Sequence, residues 1–592
     1  SMNTVMDDNK VLTLVSNERI PLSDAMRMVF EIHTLKNATP ATVSRAGILY
    51  INDTDVGYQP YIESWMGQRT NETEKSYLPF LLNQYFSKVV DFYAAAKLQS
   101  IVPLPLINLV QSFCFLLDGM LKNLAEKDQD AMERVFLFAL MWAFGGALTA
   151  DKQTDFKKSF SNFFRTLNKK IKFPEAGTVL DYFIDPASGD VVPWQDKVQT
   201  FTSSAPEGAS SNIVVPTADT VRLTYLLSYL VRNSRPVMFV GSAGTGKTVL
   251  VKDYLDSLGV TDEAYKSATI NMNFYTDALA LQNQLEQNVD KRSGKTYGPP
   301  SGKLIYFVDD LNLPFVETYG TQTPIALMRQ HIDHSSWFDR TDLSLKKNIV
   351  DAQYVACMNH KSGSFFIDPR LQRHFVTFAC QMPSDQDLAT IFGTILTGHV
   401  YNFDRSVTSR VKNITDATIT LHREICAKFL PSAVKFHYNF TMRDLAAVFR
   451  GLLNSRPEEQ RAAAQFTRLW YHEVMRVFSD RLISDVEVLR CRDVVVNVGK
   501  RFMEDDAELV YADPCTYTHF ISADESGGYK LSDDFNQLKF VLETKLGEYN
   551  ETNAIMSLVL FEQAIRHVTR ITRILMFPGG NALLVGVGGS GK

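Results

Sequence analysis

The sequence has few cysteines, and they are not spaced as a disulfide or metal framework requires. No two of them form a C-x-x-C pair. Scattered thiols of this kind are typical of a reduced, intracellular compartment, in which they serve as buried apolar residues. The six are Cys114, Cys357, Cys380, Cys426, Cys491 and Cys515.

The chain also has no surplus of either charge and no apolar run long enough to cross a bilayer. Its 61 Lys and Arg against 66 Asp and Glu residues give a net charge of −5, which argues against a dedicated nucleic-acid binder. The most apolar run, residues 135–150, contains Gly145 and Gly146 and is shorter than the ~20 residues of a membrane span. We expect a buried core helix there, and neither nucleic acid nor membrane among the partners.

A chain of 592 residues is too long for one hydrophobic core, so roughly three to five domains are expected. Its hydrophobic content of 45% and charged content of 21% are those of an ordinary globular protein, and this composition leaves an enzyme, a binding module and a scaffold all open.

The most informative motif matches G-x-x-x-x-G-K-[ST]. An apolar run, residues 236–240, precedes it and predicts a buried strand; residues 248–255 follow with helical spacing. Strand, glycine-rich turn and helix surround a polyphosphate with backbone N–H groups and the positive end of a helix. Lys247 would reach the β- and γ-phosphates, and Thr248 would ligate Mg²⁺. The motif consists of Gly241, Ser242, Ala243, Gly244, Thr245, Gly246, Lys247 and Thr248.

A nucleotide hydrolase also needs an acidic strand beside this loop. The apolar run 304–308 ends in Asp309 and Asp310, which predicts the first carboxylate near Mg²⁺ and the second near the attacking water. The alternative is a buried strand followed by a solvated turn.

Four further residues are candidates for catalysis. Asn359 follows the strand-like run 352–358 and would orient water or the γ-phosphate, or else cap a turn. Arg370, Arg373 and Arg443 are of the residue type that spreads transition-state charge over phosphate oxygens, although isolated surface arginines are common.

A second phosphate-loop motif begins at Gly586, 345 residues after Gly241. A strand-like run, 582–585, and a helix-like stretch, 561–575, precede it, as the helix-like run 221–231 precedes the first motif. This repetition indicates tandem modules. The second motif, an incomplete site, consists of Gly586, Gly588, Gly589, Ser590, Gly591 and Lys592 around Val587.

A weaker sequence similarity indicates a third copy of the module. Arg45 precedes the apolar run 46–51 as Arg373 precedes 374–379, and both runs are predicted to be strands. We therefore expect the chain to begin late in one module, to contain a whole module, and to stop inside the next.

Together these motifs resemble the AAA+ ring ATPases, and more closely the dynein heavy chains of axonemal, outer-arm type. The resemblance covers nearly the whole chain. It is carried by residues 3–10, 38–51, 142–146, 215–222, 297–300, 306–314, 368–375 and 558–561, and by the terminal motif.

The resemblance implies an α/β fold of tandem AAA+ modules, each a parallel-sheet P-loop nucleotide-binding domain with a small helical lid domain. The implied segments are the end of the second module's large domain (1–52), its helical lid (53–177), the third module's large domain with the nucleotide site (178–385), its lid and connector (386–535), and the start of the fourth module up to its phosphate loop (536–592).

It also implies roles for the candidate residues. Val215, Pro216 and Thr217 would line the adenine pocket, and Asp309 would lie behind the metal. Asn359 would be the first sensor and Arg443 the second. Arg373, or Arg370, would act as an arginine finger toward the second module's site, and Arg45 would do so for the first module.

One departure from the family pattern concerns Asp310, which stands where the water-polarising Glu of AAA+ proteins belongs. Asp is one methylene shorter, so its carboxylate would sit roughly 1.5 Å farther back, which is costly for a positioned base. The expectation is ATP or ADP binding with Mg²⁺ and slow hydrolysis at a regulatory site.

For the parent protein, the resemblance implies a ciliary motor ATPase acting on microtubules, with other dynein chains as partners and a location in the cytoplasm, cytoskeleton and cilium axoneme. The microtubule contact would lie in other parts of the parent. One alternative is a scaffold that holds ADP permanently. Another is a different AAA+ class, such as a clamp loader, helicase or ribosome-assembly ring, which the mild negative charge disfavours.

Overall fold

The computed structural model describes residues 3–14, 16–149, 154–168, 170–199, 214–361, 363, 367–521, 528–532 and 534–586. The chain divides into two compact units, residues 1–69 and 70–592, and each is described by itself. No helix in the described ranges is long and apolar enough to cross a membrane.

Helices are the most frequent regular element among the described residues. They are α1 Asn3–Met6, α2 Pro40–Val43, α3 Asp53–Val56, α4 Gln59–Gly67, α5 Glu72–Leu81, α6 Ser87–Ala95, α7 Leu106–Lys122, α8 Gln129–Gly145, α9 Phe156–Leu167, α10 Ala218–Arg232, α11 Lys247–Thr261, α12 Ala278–Glu286, α13 Thr323–His334, α14 Pro369–Gln372, α15 Asp385–His399, α16 Arg405–Lys428, α17 Met442–Leu452, α18 Ala463–Val474, α19 Asp485–Phe502, α20 Ala507–Val510, α21 Phe535–Thr552 and α22 Glu562–Leu575.

The strands are short. They are β1 Val11–Thr13, β2 Arg19–Pro21, β3 Tyr182–Ile184, β4 Val191–Pro193, β5 Val237–Val240, β6 Tyr265–Asn271, β7 Asp290–Ser293, β8 Thr296–Gly298, β9 Lys303–Asp309, β10 Ser336–Phe338, β11 Lys346–Ile349, β12 Ala352–Met358, β13 Val376–Ala379, β14 Thr516–Thr518 and β15 Lys530–Ser532.

In the first unit, β1 and β2 form an antiparallel hairpin. The strand predicted for residues 46–51 is wrong: no strand is assigned there, and Leu49, Tyr50 and Ile51 are largely exposed. A strand needs a hydrogen-bonded neighbour, and the described part of this unit supplies none for these residues. Apolarity alone therefore misled the prediction.

The second unit begins with the helical layer α5–α9. Its centre is α8, in which every described side chain from Val135 to Phe144 is buried, so the core helix predicted in this run is confirmed. Neighbouring α7 packs on the edge strand β13. There the buried Asn108 Nδ2 donates to the carbonyls of Gln372 and Phe375, at 3.2 Å each.

A five-stranded parallel sheet forms the centre of this unit. Its spatial order is β13-β5-β12-β9-β6, and β5, β9 and β12 lie where the apolar runs predicted strands. The apolar residues of β5, β9 and β12 are buried because strands with neighbours on both sides are covered by helices on both faces. The carboxyl ends of β5, β12 and β9 meet at one edge of the sheet.

A second helical layer, α15–α20, follows the sheet and encloses its own apolar core. Antiparallel β14 and β15 lie beside it, and the predicted helix at 561–575 is confirmed as α22. The strand predicted for residues 582–585 is wrong: none is assigned, and Leu583 and Val585 are exposed. As at residues 46–51, no strand among the described residues lies beside residues 582–585 to pair with them.

Candidate nucleotide-binding site

The glycine-rich loop starts at the end of β5, in the interior of the sheet. The Gly241 N–H donates to the Met358 carbonyl at 3.1 Å, which continues the β5–β12 ladder by one residue. A Cβ at position 241 would lie 2.3 Å from the Cys380 carbonyl oxygen. Backbone thus approaches backbone too closely for any side chain, which explains the first glycine of the motif.

Two further glycines turn the chain into a helix. Gly244 and Gly246 have φ angles of +83° and +80°, in the left-handed region that glycine adopts most readily. Helix α11 begins at the next residue, Lys247. The free N–H groups of its first turn, together with the helix dipole, make this end of α11 attractive to anions.

The Lys247 ammonium is held by the loop itself. Its Nζ donates to the carbonyls of Gly241 and Ser242, at 2.9 and 2.8 Å, and to the Thr245 hydroxyl at 3.3 Å. Burial lowers the pKa of Lys247. A cation that is desolvated among neutral oxygens gains strongly from an anionic partner.

Two oxygens suited to Mg²⁺ meet beside the loop. The Thr248 hydroxyl, in the first turn of α11, donates to Asp309 Oδ2 at the end of β9 over 2.9 Å. A hydroxyl and a carboxylate, completed by phosphate oxygens and water, are the ligands that Mg²⁺ takes in phosphate sites. These residues fit the metal that the motif predicts.

Asp310 follows in an uncommon backbone conformation, with a φ of +55°. Asp tolerates the left-handed region better than most residues. Its carboxyl lines the same cavity as Lys247 and Arg443. Burial, and then the neighbouring Asp309 carboxylate, raise the pKa of Asp310.

The start of α10 forms another part of the cavity wall. Val215 and Thr217 are buried and line the cavity, whereas Pro216 is half-buried and does not. Thr217 caps α10, since its Oγ1 accepts from the Thr220 N–H at 3.3 Å. This cap fixes the direction in which the chain enters the helix.

The helices of the second layer close the cavity. Arg443 and Met442, in the first turn of α17, line it together with Phe392 of α15. Phe392 stacks on Phe449 of α17, with ring centroids 4.3 Å apart, so the two helices present one wall. A Cβ on Gly244 would lie 3.0 Å from Met442 Cβ, and the loop and α17 are therefore in close contact.

The cavity encloses ≈ 560 Å³, a size suited to a nucleotide. Most of the nucleotide-binding residues predicted for this module line the cavity. Pro216, Gly241 and Ser242 do not, although the carbonyls of Gly241 and Ser242 accept hydrogen bonds from Lys247. Asn359 also lines the cavity, while its Oδ1 accepts from the Lys361 N–H at 3.0 Å. The turn cap predicted as its alternative is thus present as well.

Other predicted residues lie elsewhere. Arg370 and Arg373 do not line this cavity, and Arg373 Nη2 is ion-paired with Asp333 at 2.8 Å. Arg45, in the first unit, is ion-paired with Asp7 at 2.8 Å. Of the terminal motif, only Gly586 belongs to the described residues; the phosphate loop predicted at Gly588, Gly589, Ser590, Gly591 and Lys592 lies outside them.

Sequence reasoning missed several lining residues, including Asp219 and Arg222 of α10, Gln381 after β13, and Leu388 and Ile391 of α15. Arg222 is ion-paired with Asp219 at 2.6 Å and with Asp181 at 2.8 Å. The helical spacing of Asp219 with Arg222, and of Leu388 with Ile391, was the sequence signal that linked members of this set.

Lys157 of α9 is a buried cation near Arg222 and Asp219, and it is 9% exposed. Burial lowers its pKa to about 8, and the Arg222 charge acts in the same direction. Because the unfolded chain binds this proton more tightly, stability rises between about pH 8 and pH 10.5. Lys157→Met is expected to increase the free energy of unfolding at pH 7 by roughly 1–3 kcal/mol and to remove that rise.

Urea denaturation across this pH range measures both effects. Lys158→Met is the matched control, since Lys158 is the exposed neighbour on the same helix. An equal response of the two variants would contradict the burial argument.

A glycine-rich loop between a parallel strand and a helix, an acidic strand beside it and a helical layer that closes the site define an AAA+ module of the P-loop class. Models of known families match in the same order: "Dynein heavy chain AAA lid domain" at residues 78–196, "P-loop containing dynein motor region" at 202–383, "AAA+ lid domain" at 414–512 and "P-loop containing dynein motor region D4" at 556–592.

Relatives agree over the whole chain. It is 45% identical to "Dynein beta chain, ciliary" of Tripneustes gratilla and to "Dynein axonemal heavy chain 17" of Homo sapiens, each over 601 residues. It is 42% identical over 606 residues to "Dynein beta chain, flagellar outer arm" of Chlamydomonas reinhardtii. Each alignment covers 100% of this chain and 13% of the relative.

The chain belongs to the dynein heavy chains, within their AAA+ motor region, and is similar throughout to axonemal members. The predicted family and fold class are confirmed. The alternative AAA+ classes, namely clamp loader, helicase and ribosome-assembly ring, are excluded. The P-loop domain implies nucleotide binding.

Proposed function

We propose that the third module binds ATP or ADP with Mg²⁺ and serves as a regulatory site of a ciliary motor ATPase. The observation that carries this proposal is the convergence, in one cavity, of the phosphate loop, the Thr248–Asp309 pair and Arg443. The first two supply the phosphate and metal ligands. Arg443 comes from the helical layer, so nucleotide contacts join the two layers of the module.

The geometry supports the following roles. The backbone N–H groups around Gly244 and Gly246 and the Lys247 ammonium would hold the phosphates. Thr248 and Asp309 would hold Mg²⁺, which when bound neutralises phosphate charge. Val215 and Thr217 would contact the base, with Pro216 behind them. Asn359 and Arg443 would sense the γ-phosphate.

Hydrolysis at this site would be slow because Asp310 is short for a general base. Its carboxylate stands about one methylene farther from the substrate than a Glu carboxylate would, and general-base catalysis depends strongly on such placement. Slow turnover suits a site whose occupancy, rather than its catalysis, affects neighbouring modules.

Asp310→Glu is therefore expected to raise the rate of ATP hydrolysis by about tenfold or more. Phosphate release should be measured on a chain extended through the fourth module's large domain. Arg373 or Arg370 would act on the second module's site, and by the same pattern the arginine finger for the third module's site would come from the fourth module. Asp310→Asn is the control and should show no gain. An Asp310→Glu rate no higher than that of the wild type counts against the proposal.

The whole protein's role is part of the same proposal. The relatives are named as ciliary, axonemal and flagellar outer-arm dyneins, and the chain spans 13% of their length. We infer a location in the cilium axoneme, within the cytoplasm and cytoskeleton, and a parent motor that binds microtubules through segments other than this one and assembles with other dynein chains. The module boundaries and the arginine fingers stay predictions.

Asp310 also favours a second function, a scaffold stabilised by ADP that does not exchange. Incubation of ADP-loaded protein with excess labelled Mg·ATP separates the two. Exchange within minutes supports the regulatory site, whereas ADP that survives long dialysis and does not exchange supports the scaffold.

A further inference from the structure

A buried ion pair joins the helical layer of the third module to α22. The Glu473 carboxylate, on α18, is 0% exposed. The Arg573 guanidinium, on α22, donates to it through Nε, at 3.1 and 3.3 Å to the two oxygens, and through Nη2. The Tyr529 hydroxyl donates to Glu473 Oε1 at 2.7 Å. The carboxylate is therefore bound from two sides.

A third element touches the same carboxylate. A Cβ placed on Gly451 of α17 would lie 1.7 Å from Glu473 Oε2. The backbone of α17 thus rests directly against the ion pair, and only glycine leaves room for it. Gly451 occupies the last turn of α17, and Arg443 occupies the first, about 12 Å away along the helix at 1.5 Å per residue.

The ion pair is one of the contacts that hold helix α22. Its buried face consists of Ile565, Thr569 and Arg573, and Arg570 adds a second ion pair to Asp480 at 3.3 Å. The helix ends at Leu575, and the terminal glycine-rich motif begins at Gly586. The ion pair therefore lies between the nucleotide cavity and the segment that leads into the next phosphate loop.

We propose that Glu473 is a positioning residue that holds α17, with Arg443, in register with α22, so that a nucleotide at the third module and the entry to the fourth are coupled. This inference rests on the proposed nucleotide site. Arg443 contacts the γ-phosphate at one end of α17, and Glu473 transmits the resulting position of α17 to Arg573 at the other end.

The pair suits coupling better than stability. Burial by itself would raise the pKa of Glu473, but the Arg573 guanidinium holds that pKa below its usual value, so the carboxylate is ionised at neutral pH. Burying two charges costs about as much as their attraction returns, so such pairs contribute little net stability while strongly penalising displacement of one partner. A tightly packed contact of this kind passes a shift of one partner on to the other.

Hydrogen exchange of residues 562–575 in the 592-residue chain tests the coupling. In the wild type, saturating Mg·ADP or a non-hydrolysable Mg·ATP analogue is expected to slow exchange of these amides roughly threefold or more, because bound nucleotide would stabilise α22 locally. Arg573→Met should bind nucleotide and lose this response. Arg573→Lys should recover part of it.

Arg566→Met is the matched control, since Arg566 lies on the same helix in an exposed ion pair with Glu562; it should respond as the wild type does. Glu473→Gln keeps the shape of the side chain and the acceptor for Tyr529, and it serves if Arg573→Met fails to fold. It should lower the ratio of affinities for the ATP analogue and ADP about fivefold, a ratio that general destabilisation does not change.

The two proposals fail separately. A wild-type chain that binds no nucleotide overturns the proposed function. A wild-type chain that binds nucleotide without a change at residues 562–575, or an Arg573→Met or Glu473→Gln variant whose response and affinity ratio equal those of the wild type, overturns the coupling alone.

Discussion

Gly451→Ala is expected to lower the free energy of unfolding of the second helical layer by about 3 kcal/mol or more. The new methyl group would occupy the space of Glu473 Oε2, and the carboxylate has nowhere to go, because Arg573 and Tyr529 hold it and protein surrounds it. Either the ion pair breaks or α17 moves away. Urea denaturation followed by tryptophan fluorescence measures the loss, since Trp470 is buried in the same core.

Gly393→Ala provides the comparison. Gly393 also lies within a helix of this layer, α15, but a Cβ there meets no atom within 4 Å. Alanine should be neutral or stabilising by up to ~1 kcal/mol, because it removes the entropic cost of a helical glycine. If both substitutions shift the denaturation midpoint equally, the contact between Gly451 and Glu473 yields to a methyl group and is not rigid.

Lys247→Ala is expected to weaken Mg·ADP and Mg·ATP binding by about 100-fold or more. Lys247 is 9% exposed, and its ammonium lies among carbonyl oxygens at the start of α11. A charge-assisted contact with phosphate in such a place contributes roughly 1.5–3 kcal/mol for each hydrogen bond, and two phosphates are within the lysine's predicted reach.

Isothermal titration calorimetry, with Mg·ADP titrated into the wild type and into Lys247→Ala, measures this loss of affinity. Lys252→Ala is the matched control, since Lys252 is an exposed residue on the same helix, and its affinity should equal that of the wild type. Unchanged affinity in Lys247→Ala would mean that the nucleotide, if bound, is held somewhere else.

The local parts of the site could be predicted from the sequence. The runs that became β5, β9 and β12 are apolar, short and bounded by polar residues, and strands inside a parallel sheet have that pattern. Because the carboxyl ends of such strands share one edge, the meeting of Lys247, Asp309 and Asn359 followed from the order of motifs. Arg443 was a candidate by its residue type, and the family resemblance implied its role as second sensor; the structure places it in the cavity.

Long-range features could not be predicted. Gly451 and Glu473 are 22 positions apart and Arg573 a further 100, and no periodicity links them. The burial of Lys157 depends on how α9 packs against its neighbours, and nothing in the sequence distinguishes Lys157 from the exposed Lys158 beside it. The failed strands at 46–51 and 582–585 show the converse, since apolar residues form a strand only where a neighbour completes the ladder.

The central claim is that the loop from Gly241 to Thr248 holds an adenine nucleotide with magnesium. Its most direct test is the quantity of ADP bound at equilibrium when the purified 592-residue chain is dialysed against saturating Mg·ADP. We predict close to one ADP per chain, and far less when EDTA replaces magnesium. A chain that retains no nucleotide under saturating Mg·ADP would contradict the account.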